Sequence, residues 1–315
     1  MLGVVIGDVI GSIYEVFEVK DVKSKRKYIN EQKELDPNFD DSNIIRHRSY
    51  EERMDVMTCD LFDKQITYTD DTCLSCAICD ALLHDKDYKK YLLSYGLEEE
   101  KKRNDIYDRS RFGKGFRAWL SNGGNCEPSL GNGSGMRVAP VAWYFDNLDD
   151  VLEHAKLTAI PSHGHEEGIK GAQAIASSIF LARNNFEKED IKKYVEETFN
   201  YDLNKDLDDL RHNYTFNSTC EGSVPEAIYC FLESDNFEDG IRKALSIGGD
   251  ADTIAAMTGA ICEAYYGLDE ELATKCLEYV PDDMKDVFKN FYNEIDSDID
   301  MKIFDSKNKD DEIEL

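Results

Sequence analysis

Apolar residues recur along this chain at three- and four-residue intervals far more often than they alternate with polar ones, and that spacing predicts helices. The pattern runs through residues 1–20, 71–95, 109–120, 148–160, 166–184 and 187–199. It returns at 223–233, 237–247, 252–266, 269–278 and 282–294. No stretch alternates with period two and no fixed-period repeat stands out, so neither sheets nor a solenoid are expected. Turn clusters such as SNGGNCEPSLGNGSG (121–135) and HGHEEG (163–168) separate the helical runs. Residues 21–66 are charged and poorly periodic, and read as a long surface loop carrying one short helix. The polar, acidic stretch from Asp296 reads as a frayed tail. The expected organisation is one compact all-α domain over 1–295, with an insertion at about 21–66 and an acidic tail over 296–315.

Composition narrows the function classes. The 315 residues include 65 acids against 37 bases, a net charge of −28. Such a surface repels phosphate backbones, which argues against general nucleic-acid binding. A small anionic ligand remains compatible through backbone N–H groups, cations or single arginines. The opening MLGVVIGDVIGSIYE lacks a basic stretch and carries Asp8 within its apolar run, so no signal peptide is expected. Nothing reaches the roughly 18 uninterrupted apolar residues of a membrane span. Nine cysteines without framework spacing suit reduced thiols in a cytoplasm. Within the first helix Gly3, Gly7 and Gly11 recur every fourth residue, a spacing that lets another backbone pack closely.

Two segments put acids at the head of small-residue helices. In TYTDDTCLSC (67–76), Asp70 and Asp71 would point about 100° apart inside a helix, so they converge only near its end. In GGDADT (248–253), acids two apart would lie about 200° apart unless Asp250 precedes the helix and Asp252 occupies its first turn. Gly248 and Gly249 permit the sharp entry. Capping accounts for one acid in each segment, since Asp and Thr cap helices and acids favour the positive end of the dipole. Should the segments meet, four carboxylates share a pocket, at a cost unless protonated or neutralised. Hard divalent cations, two Mg²⁺ or Mn²⁺, match that all-oxygen set.

Other motifs carry weaker signals. LGNGSGMRVAP (130–140) is a glycine-rich turn whose Gly131, Gly133 and Gly135 allow positive φ and close ligand approach, yet it is no Walker A or dinucleotide fingerprint. Arg137 offers a contact to phosphate or an ion pair with an acid. His163, His165 and Glu166 resemble a zinc set without the partners to complete it, which favours a helix start. Cys73, Cys76 and Cys79 lie at helical spacing among apolar residues and read as core packing rather than cluster ligands.

Six segments occur in a recognisable order: IGDVIGSIYE (6–15), YTDDT (68–72), GNGSGMRVAP (131–140), SHGHEEGIKGAQA (162–174), GSVPEAI (222–228) and GGDADTIAAMTGAICEAYYG (248–267). Over about residues 3–290 the chain resembles the ADP-ribosylglycohydrolase family, in its bacterial branch. The resemblance implies an all-α orthogonal multi-helix bundle with a binuclear magnesium centre in a central cleft. It implies Thr69, Asp70, Asp71, Asp250, Asp252 and Thr253 as metal ligands, with Glu15, Asp70 and Asp252 as candidate catalytic acids. Gly131, Asn132, Gly133, Ser134, Gly135, Met136 and Arg137, together with His163, match the segments that hold an ADP-ribosyl ligand. The implied activity is cleavage of the C1″ bond between ADP-ribose and a protein side chain or small acceptor. Hydrolysis of free O-acetyl-ADP-ribose, or ADP-ribose binding without catalysis, are alternatives within the same scaffold. The long stretch between Glu15 and Thr69, the absence of an aromatic pattern over 96–115, Leu130 in place of an aromatic and Gly135 in place of alanine all depart from the family pattern. Those departures bear on the acceptor and the adenosine contacts rather than on the metal positions.

Overall fold

The computed structural model describes residues 1–14, 17–19, 44–46, 49–62, 66–106 and 111–305. Among these, fifteen α-helices follow one another along the chain. The first five are α1 (Leu2–Gly11), α2 (Tyr50–Met54), α3 (Asp70–Leu83), α4 (Tyr88–Ile106) and α5 (Lys114–Ser121). Next come α6 (Ala139–Tyr144), α7 (Leu148–His163), α8 (Glu166–Arg183), α9 (Lys188–Phe199) and α10 (Leu207–Asn213). The last are α11 (Cys220–Leu232), α12 (Phe237–Ile247), α13 (Ala251–Tyr266), α14 (Glu270–Leu277) and α15 (Asp282–Glu294). The all-α class that the helical period predicts is therefore what forms. Two three-residue strands, β1 (Phe17–Val19) and β2 (Ile44–Arg46), add one short parallel pair with Phe17 opposite Ile44.

Small side chains decide the centre. In α13 every residue from Ala251 to Glu263 is buried, and the helix packs against α1, α8, α11 and α12. Alanine, glycine and threonine on α13 leave room for a neighbouring backbone, and α1 fills it with glycines. A Cβ on Gly3 would lie 2.2 Å from the Gly259 carbonyl oxygen, and one on Gly7 would lie 2.2 Å from that of Ala255. A Cβ on Gly11 would lie 2.4 Å from Asp252 Cα. The glycine spacing of the first helix thus marks a line of backbone contact that ends at an acid of the second segment. At the far end of the same contact, buried Glu263 accepts from the Gly3 amide (2.7 Å), the Tyr292 hydroxyl (2.6 Å) and the Met1 amine. The three donors satisfy an acid that would otherwise be costly inside.

Several boundaries differ from the periodic reading. The first helix stops at Gly11 instead of reaching residue 20. The run over 71–95 is two helices, because Lys86 turns to a φ of +58° and Asp85 and Asp87 accept amides of the new helix entry. Helices α6 and α10 carry too few apolar repeats to register as periods. Within 21–66, α2 forms behind a Ser49–Glu52 capping box and buries Arg53 completely. Arg53 donates to the carbonyls of Ile247, Leu210 (3.4 Å) and Tyr214 (3.0 Å), so this part of the span is docked rather than a surface loop. Near the C-terminus, Met301–Asp305 forms a 3₁₀ turn with Ile303 and Phe304 buried, so fraying does not begin at Asp296.

Candidate metal centre and ligand turn

The N-terminus of α3 is organised by an acid from another helix. Thr69 is the N-cap, and its hydroxyl accepts the Asp71 amide at 3.4 Å. Asp8 of α1 lies against the same turn and accepts from the Thr69 amide (2.9 Å), the Thr69 hydroxyl (2.6 Å), the Thr72 amide (3.1 Å) and the Thr72 hydroxyl. These bonds satisfy donors that a helix start leaves without intrahelical partners. They also aim Asp71 inward, where it is buried, while Asp70 stays half-buried at the rim.

At the second segment the chain turns through Gly248 (φ +72°) and Gly249 (φ +76°), the left-handed region that side chains other than glycine rarely adopt. Asp250 then stands at the N-cap and Asp252 in the first turn of α13. Both are buried. The Asp252 carboxylate accepts the Thr253 amide at 2.8 Å, and the Thr253 hydroxyl donates to Asp71 at 3.3 Å. The two helix starts therefore meet. One carboxylate oxygen each of Asp8, Asp71 and Asp252 lies within 4.8 Å of the other two, and all three residues are buried. Burial lifts the Asp8 carboxyl above its ordinary range against the pull of its four hydrogen bonds. Burial likewise raises Asp250 to about 6, against its bonds with Asn132 and Asp252.

The glycine-rich turn borders this cluster. Asn132–Ser134 forms a 3₁₀ turn, and Asn132 Nδ2 donates to Asp250 at 2.7 Å. Gly131, Gly133 and Gly135 all stay out of the left-handed region. Their role is space rather than φ. A Cβ on Gly133 would lie 2.8 Å from His163 Nε2, and one on Gly135 would lie 3.1 Å from Met257 Sδ. Four amides of the turn are already donated within the protein: Gly131 to Ser129 Oγ, Asn132 to the Ser218 carbonyl, and Gly135 and Met136 to the Asn132 carbonyl. A ligand here would meet the glycine faces and side chains rather than those four N–H groups. Ser134 faces the core and donates to the Gly168 carbonyl at 2.7 Å, and Met136 is buried. Arg137 is wholly buried beneath the turn, donating to the Thr158 carbonyl and to Ser162 Oγ, both at 2.8 Å. It makes neither an exposed phosphate contact nor a direct carboxylate bond among the described residues, and burial lowers it to about 9.

Comparison with known proteins now decides the affiliation. The family model described as ADP-ribosylglycohydrolase matches residues 1–303. The chain belongs to the ADP-ribosylglycohydrolase family. As a member of that family it is a hydrolase. ADP-ribosylhydrolase ARH3 of Homo sapiens is 27% identical over 332 residues, covering 86% of this chain and 85% of its own length. ADP-ribosylarginine hydrolase Tri1 of Pseudomonas putida (strain GB-1) is 27% identical over 226 residues, covering 64% of this chain and 59% of its own length. A solved ADP-ribosylglycohydrolase-related protein complex shares the fold, with a TM-score of 0.59, 21% identity, and coverage of 97% of this chain and 95% of that one.

Within this ADP-ribosylglycohydrolase the acid cluster fits a hard cation by its chemistry. Its donors are carboxylates and threonine hydroxyls only, and the fold buries acids whose charge water cannot reach. Asp8 is the residue that sequence reasoning passed over. Its signal was present as a lone acid in an apolar helix between glycines, but its meaning depends on Thr69 and Thr72, more than 60 positions away. Three of its four accepted bonds fall on Oδ2, so only Oδ1 keeps capacity for an ion. Asp8 is first a brace for the α3 entry. Glu15 lies outside the described residues. His165, not His163, makes the helix cap, accepting the Glu167 amide at 3.1 Å. Cys73, Cys76 and Cys79 are free, buried on α3, with thiols pushed up by burial, as core packing requires. Among the described residues no helix is long and apolar enough to cross a membrane.

Proposed function

We propose that this chain hydrolyses the C1″ bond joining ADP-ribose to an acceptor, at the cluster built from the starts of α3 and α13. The observation that carries the reading is the convergence of Asp71 and Asp252 with Asp8, beside an Asn132-bearing turn that reaches Asp250. Thr69, Asp70, Asp71, Asp250, Asp252 and Thr253 would hold the metal. Two Mg²⁺, or Mn²⁺, would supply Lewis acidity and an anchor for the hydroxyls of the distal ribose. The protein's own part is to position and to transfer protons. The open faces of Gly131 and Gly133 admit the ligand, His163 and Asn132 flank it, and positive charge developing at C1″ lies near the carboxylates. Glu15, Asp70 or Asp252 would move the proton between water and the leaving group. The contact through local groups reconciles an anionic ligand with a protein of net charge −28.

Release of ADP-ribose from arginine-, serine- and nucleobase-linked substrates and from O-acetyl-ADP-ribose, with Mg²⁺ and after chelation, tests the reading. The arginine linkage leads the screen because the Pseudomonas relative is named for it. Release from at least one substrate should require the ion, and Asp250→Asn should lower it about a hundred-fold. Turnover after chelation, or full activity of Asp250→Asn, would remove the metal centre from the mechanism. Binding of ADP-ribose with no release from any substrate would make the chain a binding module.

A further inference from the structure

A chain of three polar side chains runs from the buried floor of the ligand turn to its surface. Arg137 Nη2 donates to Ser162 Oγ at 2.8 Å, and Ser162 Oγ lies 2.8 Å from His163 Nδ1. The chemistry of each group fixes the direction of the next. A guanidinium has donors and no acceptor, so Ser162 must accept from Arg137. A hydroxyl carries one hydrogen, and among the described residues His163 Nδ1 is the only other hydrogen-bond partner of Ser162 Oγ. That hydrogen therefore points at Nδ1, which must offer its lone pair. A proton on Nδ1 would instead aim three N–H or O–H hydrogens at one buried oxygen and leave the hydroxyl hydrogen without an acceptor. In a neutral ring, a lone pair at Nδ1 leaves the proton on Nε2.

Neutrality has its own cause. His163 is buried beside the Arg137 guanidinium, and both effects hold the ring well below its ordinary pKa. The Nε2 edge lies over the glycine-rich turn, where a Cβ on Gly133 would come within 2.8 Å of it and one on Gly131 within 3.5 Å. Nε2 has no hydrogen-bond partner among the described residues. From the same turn Asn132 reaches Asp250, so the exposed ring edge faces the approach to the acid cluster.

We infer that Arg137 and Ser162 are positioning residues that hold His163 as the Nε2–H tautomer, so that it serves a ligand on the Gly131–Gly135 turn only as a donor to an acceptor oxygen. Phosphate and ribose oxygens meet that requirement; an ammonium or amide N–H does not. The direction of the relay rests on hydrogen bonding alone, whereas the identity of the ligand rests on the function proposed above. Arg137, expected from sequence to touch phosphate, acts two bonds behind the contact.

Nitrogen NMR of the full-length protein labelled with ¹⁵N-histidine reads the tautomer directly. The His163 signals are those, among six histidines, that vanish in His163→Gln. Protonated Nε2 with bare Nδ1 is expected, unchanged across the pH range in which an ordinary histidine titrates. Ser162→Ala should mix the tautomers and weaken ADP-ribose binding about three- to ten-fold, the worth of one neutral hydrogen bond. Ser162→Thr, which keeps the hydroxyl, should recover the wild-type spectrum. A proton on Nδ1 or a charged ring in the wild type overturns the relay, as does a Ser162→Ala protein with wild-type tautomer and affinity. Should Ser162→Ala fail to fold, the wild-type spectrum still decides. Absence of ADP-ribose binding to the wild type would count against the proposed function, and the spectrum would judge the relay separately.

Discussion

At Thr69–Asp71 the chain enters its helix through hydrogen bonds, whereas at Gly248–Asp252 it enters through backbone geometry. The first entry is held by Thr69 as N-cap and by the four bonds to Asp8, with no residue from Thr69 to Thr72 at positive φ. The second has no side-chain cap bond at all and depends on two consecutive glycines at positive φ. Its bracing comes from outside the turn. Arg53 donates to the carbonyl of Ile247 just before the glycines, and the Tyr214 ring covers Gly249. Two acid-bearing helix starts can thus face one point by different means, one tolerant of sequence in the backbone and strict in its side chains, the other the reverse.

The comparison makes its strongest claim at Asp8. Asp8→Ala removes one acceptor from four donors at the α3 entry and should cost at least ~3 kcal/mol in urea unfolding, since each buried donor left unmet costs about 1–3 kcal/mol. A loss under ~1 kcal/mol would mean that Thr69 alone caps the helix. Asp250 offers a test of sign. Its folded pKa, about 6, stands above the ordinary 3.8, so the fold favours the protonated acid. The associated stability is present below the unfolded value and is lost as pH rises through the folded one. In metal-free protein the difference in unfolding free energy between wild type and Asp250→Asn should therefore shift against the wild type by ~3 kcal/mol across that window, at about 1.4 kcal/mol per pKa unit. A flat difference would place the cluster's cost on another acid. The smallest effect concerns the glycine turn. Gly249→Ala should cost ~1–3 kcal/mol from positive φ, with the new Cβ also 2.5 Å from Tyr214 Cε1. Adding Tyr214→Ala should relieve the contact and leave the φ strain. Full recovery in the double variant would show that the ring, not the backbone, demands glycine.

Much of the site was legible because its parts are local. Adjacent acids at a helix head, paired glycines before Asp250 and three glycines around Asn132 each declare a local geometry. The misreadings share a cause. Asp8, Arg53 and Arg137 are single polar residues whose partners lie far away in sequence, and a lone charged residue has no periodicity to interpret. Asp8 read as a break in an apolar run, Arg53 as part of a charged loop, and Arg137 as a surface contact. All three turned out to be wholly buried, with their hydrogen bonds going to helix ends.

By itself the sequence determined the helical class, the glycine line along α1 and the acids at the heads of α3 and α13, because helix period, φ permission and capping act over a few residues. Only the tertiary structure decided that the two heads meet, that Asp8 braces the junction, and that His163 shows its Nε2 edge to the ligand turn. Those outcomes depend on which backbones touch and which donors run out of water, and neither is written in any short stretch of the chain.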